Sequence, residues 1–171
     1  MKFNSEKELF ETAIESPDLK KIVRQRYPQT LYLIEPKGLF GIPDLVIANL
    51  DQSDNSRKRM RSFAFEMKLR NWKRALTQAY RYKSFSDYSY VMLDNSNIQP
   101  ALKNIELFRR SNIGLLGIDG SGAIKTYHKP LLAKPYEKSL FRLLKDNLFG
   151  EFPDTCGEAI FSHPKLISNP A

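Results

Sequence analysis

Apolar residues recur along the chain with two different periods, and each period predicts one kind of element. Near the start, Ser5 precedes acidic residues and then apolar positions at helical spacing, which predicts a helix that begins after Ser5. Pro17 suits the first turn of a second short helix. Three extended apolar segments follow at residues 30–35, 44–49 and 62–69, and they predict three strands. The polar stretch at 51–59 predicts the hairpin loop between the second and third strands.

The remaining chain alternates helices and strands. Residues 71–85 place Trp72, Ala75, Leu76 and Ala79 on one face, which makes this the strongest predicted helix. The other predicted elements are a strand at 88–93, a helix at 99–110, strands at 113–118 and 123–127, and a helix at 137–147. This order predicts an α/β domain with a central mixed sheet flanked by helices, in which a meander is followed by crossovers. We expect a core at 1–128 and a proline-rich appendage at 129–171 packed on it.

Composition narrows the class of protein. The chain has 171 residues, of which 42% are hydrophobic and 27% charged, as in a single globular domain. No apolar run approaches the ~18–20 residues of a membrane span, and the first residues lack the apolar stretch of a secretory signal. The only cysteine, Cys156, excludes an intramolecular disulfide. We therefore expect a cytoplasmic protein that is not embedded in a membrane.

Positive charge is concentrated in one segment. The net charge is +8, and residues 57–83 contain ten basic residues and a single acid, Glu66. That segment therefore carries +9, and the rest of the chain carries −1. A basic segment on a near-neutral body favours a polyanionic partner, with nucleic acid first. The alternative is a solvated, charged face that serves solubility.

Two carboxylates and a lysine stand out from apolar strands. Asp44 opens the second predicted strand, and Glu66 and Lys68 lie two residues apart on the third, so their side chains point to the same side. A hairpin between these strands would bring all three together at the rim of the sheet. Mg²⁺ is typically held by one or two carboxylates, and the carbonyl of Met67 would add a further oxygen. The alternative is a buried ion pair without chemistry.

These residues resemble a known motif. Pro43-Asp44 followed by Glu66-x-Lys68 on the next strand is similar to the motif of the PD-(D/E)xK nuclease superfamily, and the resemblance covers residues 5–93. It implies a restriction-endonuclease-like core in the order αβββαβ and Mg²⁺-dependent hydrolysis of phosphodiesters, with Mn²⁺ as a substitute. It also implies that Asp44 and Glu66 are metal ligands and that Lys68 is the catalytic lysine.

Two more residues become site candidates. Glu6 lies in the middle of the apolar face of the first helix, where many members of this superfamily carry a glutamate close to the metal; its alternative role is to complement the helix dipole. Gln78 begins Gln78-Ala79-Tyr80-Arg81-Tyr82, which is similar to a run on the crossover helix of many members. The alternative for Gln78 is an ordinary exposed helix residue.

The basic segment supplies candidate DNA contacts. Residues of the hairpin loop and of the helix after the motif would bind phosphates without reading sequence: Arg57, Lys58, Arg59, Arg61, Arg70, Lys73, Arg74 and Arg81. Trp72, Tyr80 and Tyr82 are candidates for base stacking, although a tryptophan on an apolar face more often belongs to the core.

The sequence thus predicts a Mg²⁺-dependent nuclease that hydrolyses DNA phosphodiesters. One alternative is a catalytically silent nucleic-acid-binding module with the same fold. Another is a basic α/β protein that binds a protein partner, which would show no salt-sensitive DNA affinity. Paired double-strand cuts would in addition require a homodimer.

Overall fold

A computed structural model describes residues 2–23, 29–51 and 59–149. They form six helices and six strands. The helices are α1 (Glu6–Glu15), α2 (Pro17–Ile22), α3 (Trp72–Tyr82), α4 (Gln99–Leu102), α5 (Ile105–Ser111) and α6 (Lys138–Phe149). The strands are β1 (Gln29–Ile34), β2 (Leu45–Asp51), β3 (Arg59–Lys68), β4 (Tyr88–Asp94), β5 (Gly114–Ile118) and β6 (Ile124–His128).

The six strands form one mixed sheet in which every strand pairs with the next one along the chain. The β1–β2, β2–β3 and β5–β6 pairs are antiparallel, and the β3–β4 and β4–β5 pairs are parallel. This confirms the α/β class and the mixed sheet flanked by helices. The β2–β3 hairpin pairing is also present, although most of the predicted loop lies outside the described residues.

Helices cover both faces of the sheet, so side chains of the central strands are buried on both sides. On one face Leu9 and Ala13 of α1 pack with Phe65 and Met67 of β3. On the other face the core includes residues from α3 to α6, among them Trp72, Phe108 and Leu144. This double cover explains why β3 reads as a nearly continuous apolar run.

Local signals start the first two helices where the sequence predicts them. The Ser5 hydroxyl accepts a hydrogen bond from the Glu8 backbone N–H at 3.1 Å. Pro17 occupies the first turn of α2, and the Ser16 hydroxyl accepts from the Asp18 N–H at 3.2 Å. Both arrangements satisfy backbone donors that a helix start would otherwise leave unpaired.

The prediction of one continuous helix over 99–110 is wrong. The segment expected to form a single helix over 99–110 forms α4 and α5, with a break at Asn104. There the side-chain amide of Asn104 donates to the carbonyl of Pro100 at 2.9 Å. A continuous helix would give that carbonyl to the backbone N–H of Asn104, so the side chain competes with helix propagation.

The described part of the proline-rich segment packs on the sheet. Leu144 and Leu148 of α6 are buried in the same apolar core as α3, and backbone hydrogen bonds join Ala133 to Asp87 and Glu137 to Ser84. The division of the chain after residue 128 stays a prediction, and residues 150–171 lie outside the described part. Within that part, no helix is long and apolar enough to cross a membrane.

Candidate active site at the end of strand β3

Antiparallel pairing of β2 with β3 brings the predicted carboxylates together. Leu45 pairs with Phe65, which sets Asp44 beside the end of β3. The Asp44 backbone N–H donates to the carbonyl of Phe65 at 3.1 Å. In return, the carboxylate oxygen Oδ2 of Asp44 accepts from the Met67 backbone N–H at 2.6 Å. Asp44 is therefore held at both its backbone and its side chain by the strand that contains Glu66 and Lys68.

The ammonium of Lys68 lies at the centre of a cluster of oxygens. Its Nζ is 3.0 Å from Oε1 of Glu66, 3.1 Å from the carbonyl oxygen of Met67, 3.3 Å from Oε2 of Glu6 and 3.9 Å from Oδ2 of Asp44. Glu6 comes from the first turn of α1, and Lys68 reaches it because β3 ends there. We call these five residues the acidic cluster. Its three carboxylates and one ammonium leave a formal charge of −2 when all are ionised.

Glu66 is the deepest member of the acidic cluster. Its side chain is only 1% exposed, and its Oε2 accepts a hydrogen bond from the hydroxyl of Tyr82. Its other oxygen, Oε1, lies 3.0 Å from the Lys68 ammonium and has no other hydrogen-bond partner among the described residues. A buried carboxylate needs a compensating partner, and Lys68 supplies that charge in the absence of a metal ion.

Burial and crowding perturb the ionisation of the acidic cluster. Burial, followed by the negative charge of Glu66, raises the pKa of Asp44 from 3.8 to about 6, against the lowering effect of the Met67 N–H and of Lys68. Burial lowers the pKa of Lys68, but the charges of Asp44 and Glu66 outweigh it and the net shift is upward. At neutral pH, Lys68 is therefore charged and Asp44 is mostly ionised at a cost in stability.

Tyr82 is a site residue whose role the sequence did not predict. Its hydroxyl contacts Oε2 of Glu66 and lies 3.0 Å from the carbonyl oxygen of Ile42. Burial, followed by the hydrogen bond to Glu66, raises the pKa of Tyr82. Tyr82 is completely buried, so it cannot stack on a base as the sequence suggested. Its spacing of four residues from Gln78 is the signal that could have placed it near the site.

The other predicted stackers differ in exposure. Trp72 is buried against Phe108, with ring centroids 6.0 Å apart, so the alternative of a core residue is correct. Tyr80 is exposed. Gln78 lies one helical turn before Tyr82, and its Oε1 is buried without a hydrogen-bond partner among the described residues. The structure thus places Gln78 beside the buried side of α3, and not as an ordinary exposed residue.

The basic residues divide into two groups. Arg70, Lys73, Arg74 and Arg81 are exposed on α3 or directly before it. Arg61 instead lies near the opposite end of β3, about 17 Å from Glu66 at the rise of a strand, and its guanidinium is 3.9 Å from Asp87. Arg57 and Lys58 lie outside the described residues, and of Arg59 only the backbone position in β3 is described. Among the predicted DNA contacts that the structure describes, the α3 group is therefore closest along the chain to the acidic cluster.

The oxygens of the acidic cluster fit a hard cation. Asp44, Glu66 and the carbonyl of Met67 offer oxygen ligands only, which is the donor set that Mg²⁺ prefers. In the described part of the chain, however, no three His, Cys, Asp or Glu side chains are arranged as a ready metal-binding group. The Lys68 ammonium stands among these oxygens instead. A divalent cation would have to displace it from Glu66.

A cavity of about 350 Å³ lies elsewhere, at the start of β4. It is lined by Phe63, Tyr88 and Tyr90 from the sheet, together with Ile22 and residues 129–132. Phe63 and Tyr88 stack with centroids 4.9 Å apart. No residue of the acidic cluster lines this cavity. The cluster lies at the end of β3, where the side chains of Lys68 and Asp44 are 15% and 25% exposed.

Comparisons with known proteins identify no relative of this chain, so a function must be inferred from the geometry of the site. No protein-family model, no curated protein and no solved structure matches this chain. The fold and the site together define an α/β protein with a mixed six-stranded sheet and an acidic cluster around one lysine at the end of β3.

Proposed function

We propose that this protein is a Mg²⁺-dependent nuclease that hydrolyses DNA phosphodiester bonds at the acidic cluster. The single observation that supports this most is the meeting of Asp44, Glu66 and Lys68 with Glu6 around one point, with a net charge of −2. Glu6 comes from α1, Asp44 lies directly before β2, and Glu66 and Lys68 belong to β3, so three separate segments contribute to one cluster.

The order of elements supports the same proposal. Helix α1, the meander of β1, β2 and β3, the crossover helix α3 and the parallel strand β4 occur in the order of a restriction-endonuclease-like core, with α2 inserted between α1 and β1. Asp44 directly before β2 and the Glu66–Lys68 pair at the end of β3 are the residues for which the PD-(D/E)xK resemblance implies a metal site. We therefore assign the fold to that type as part of the proposal.

Asp44, Glu66 and the Met67 carbonyl would hold the cation, and Mn²⁺ would substitute for Mg²⁺. A bound Mg²⁺ supplies positive charge to the phosphate oxygens as they become more negative during hydrolysis. Lys68 has only donors and stays charged at neutral pH, so it would donate to a phosphate oxygen or orient the attacking water. Glu6 would keep Lys68 at the edge of the site through their 3.3 Å contact.

The surface of α3 would hold the DNA backbone. The helix contains no acidic residue, and Lys73, Arg74 and Arg81 are exposed along it. Arg70 adds a further exposed charge between β3 and α3. Lysine and arginine contacts to phosphates give affinity and orientation without reading the base sequence.

A second candidate is a DNA-binding module without catalysis, and one observation favours it. Lys68 already balances part of the carboxylate charge, at 3.0 Å from Glu66, so the cluster has a stabilising cation of its own. In that case, replacing Lys68 by alanine leaves Glu66 buried and uncompensated. The fold should then lose about 3–5 kcal/mol whether or not Mg²⁺ is added.

One experiment separates the two candidates. Single-stranded, duplex, flapped and branched DNA are incubated with the wild-type chain and with Lys68→Ala, with and without Mg²⁺. For a nuclease, the wild type cleaves only with Mg²⁺, and Lys68→Ala slows cleavage by about 10²- to 10⁴-fold. Its DNA affinity should be unchanged, and Mg²⁺ should restore most of its thermal stability.

The matched control is Lys21→Ala, which removes an exposed lysine that is paired with Asp18 at 2.8 Å on α2. This variant should cleave like the wild type. Cleavage by Lys68→Ala at the wild-type rate would refute the assignment of the site. Salt-sensitive DNA binding without any cleavage would favour the binding module.

A further inference from the structure

The loop between β1 and β2 presents two apolar side chains to solvent beside the acidic cluster. Phe40 is 52% exposed and Ile42 is 53% exposed, and both lie within four residues of Asp44. Single exposed apolar residues are common on protein surfaces and need no explanation. Phe40 and Ile42 differ from such residues because they lie together at the rim of a candidate active site. Their loop leads directly into Asp44, a proposed metal ligand. We call Phe40, Gly41 and Ile42 the apolar tip.

The apolar tip is tied to the site by one side chain. The Tyr82 hydroxyl lies 3.0 Å from the carbonyl oxygen of Ile42 and donates its hydrogen bond to Glu66. The backbone of the apolar tip is therefore linked to the deepest carboxylate of the cluster through a single tyrosine hydroxyl. Ile42 is also only two residues from Asp44, so the tip is part of the surroundings of the cluster.

The backbone holds the apolar tip in an exposed position. Leu39 is buried in the core, which anchors the loop directly before Phe40. Gly41 has φ +93°, a value that residues with side chains rarely adopt, and a Cβ atom there would lie 3.0 Å from the ring of Tyr82. The chain thus packs its backbone against Tyr82 and turns Phe40 and Ile42 outward.

Positive charge accompanies the apolar tip. The guanidinium of Arg81 lies 5.7 Å from the centre of the Phe40 ring. Arg74 is seven residues earlier on α3, so both arginines lie on the same side of the helix, about 10 Å apart along its axis. That length corresponds to about three base steps at 3.4 Å each. An aromatic ring beside two arginines on one side of a helix suits a nucleobase attached to a charged backbone.

We propose that the apolar tip contacts an unstacked base next to the scissile phosphate, so that the preferred substrate is DNA with unpaired bases at a fork, flap or junction. This inference rests on the proposed function and specifies its substrate class. In an intact duplex, Phe40 could reach a base face only after unstacking, which costs free energy. At a fork that cost has already been met, so the same contact adds directly to affinity.

The test compares a forked DNA with a fully paired duplex of equal length. Binding is measured by fluorescence anisotropy with Ca²⁺ in place of Mg²⁺, and cleavage is measured separately in single-turnover assays with Mg²⁺. The wild type should prefer the fork in both assays. Phe40→Ala should weaken fork binding by about 5- to 150-fold, which corresponds to ~1–3 kcal/mol for one base on an aromatic ring at 1.4 kcal/mol per tenfold. Duplex binding should not change.

Two further variants make the result specific. Phe40→Tyr keeps an aromatic face and should retain the preference for the fork. Leu131→Ala removes an apolar side chain that is even more exposed, at 78%, but lines the distant cavity, and it should behave like the wild type. Melting temperatures of all variants establish that the exposed substitutions leave the fold intact.

The outcomes distinguish this inference from the proposed function. The inference is overturned if Phe40→Ala weakens fork and duplex binding equally, or if it weakens neither of them. This holds even when the wild type cleaves DNA. A wild type without preference for the fork overturns it as well. If the fork preference depends on Phe40 but no DNA is cleaved, the base contact stands and the nuclease assignment fails.

Discussion

Replacing Asp44 by asparagine should stabilise the metal-free protein, although it removes a proposed metal ligand. Asparagine has the shape of the aspartate and can still accept the Met67 N–H, but it brings no negative charge to the cluster. Burial and the charge of Glu66 raise the pKa of Asp44 from 3.8 to about 6. Ionised Asp44 therefore opposes folding, and the neutral side chain does not.

The magnitude follows from the rise in pKa. One pKa unit corresponds to ~1.36 kcal/mol, so the rise is worth up to about 3 kcal/mol at pH values well above 6. Water screens part of it, because the Asp44 side chain is 25% exposed. For a chain of this length, 1 kcal/mol shifts the melting temperature by about 2–4 °C. Asp44→Asn should therefore melt higher than the wild type by up to about 10 °C.

The difference in stability between Asp44→Asn and the wild type depends on pH. Because folding raises the pKa of Asp44, the folded state is more stable when this carboxyl is protonated than when it is ionised. That stabilisation is fully present below about pH 4 and is lost as the pH rises through about 6. The two proteins should thus melt alike near pH 3.5, and the difference should grow to its full size by pH 7. Thermal melts in EDTA across this range measure it.

Magnesium should narrow the difference in melting temperature between Asp44→Asn and the wild type. A ligand that binds only the folded state raises its stability, so Mg²⁺ should raise the melting temperature of the wild type but not that of Asp44→Asn. The matched control is Asp18→Asn: hydrogen bonds from Lys21 and the Ile124 N–H lower the pKa of Asp18, so its neutral variant should be less stable at pH 7. If Asp44→Asn melts below the wild type at pH 7 in EDTA, the reasoning about the cluster is refuted.

Three further predictions concern other parts of the molecule. Replacing Arg70, Lys73 and Arg74 by alanine should reduce the slope of log K against log [salt] for DNA binding by up to about 3. An unchanged slope would exclude phosphate contacts by these three residues. Tyr82→Phe should cost about 1–3 kcal/mol in denaturant unfolding, because the buried Glu66 carboxylate loses its hydroxyl donor. Tyr80→Phe at an exposed position should cost nothing. Leu144→Ala should cost about 2–5 kcal/mol, since this residue of α6 is fully buried; a neutral effect would show that α6 is not part of the core.

Much of the fold could be predicted because its signals are local. Ser5 and Pro17 start α1 and α2, and the apolar period of 71–85 places Trp72, Ala75 and Ala79 on the buried face of α3. Such signals act within one or two turns of the chain and do not depend on what packs nearby. The break at Asn104 was missed because an asparagine side chain can either point to solvent or take a backbone carbonyl, and the sequence does not distinguish these choices.

The candidate site residues could be identified from the pattern of charged and apolar positions. Asp44, Glu66 and Lys68 were conspicuous because charged side chains interrupt apolar strands, and burying an unpaired charge is so costly that such residues need partners. Only the tertiary structure decided which atoms those partners are. The β2–β3 register brings Asp44 to Met67, α1 brings Glu6 to Lys68, and α3 brings the Tyr82 hydroxyl to Glu66. These contacts join segments 16 to 62 residues apart, and their geometry depends on packing across the whole sheet, which a local pattern does not contain.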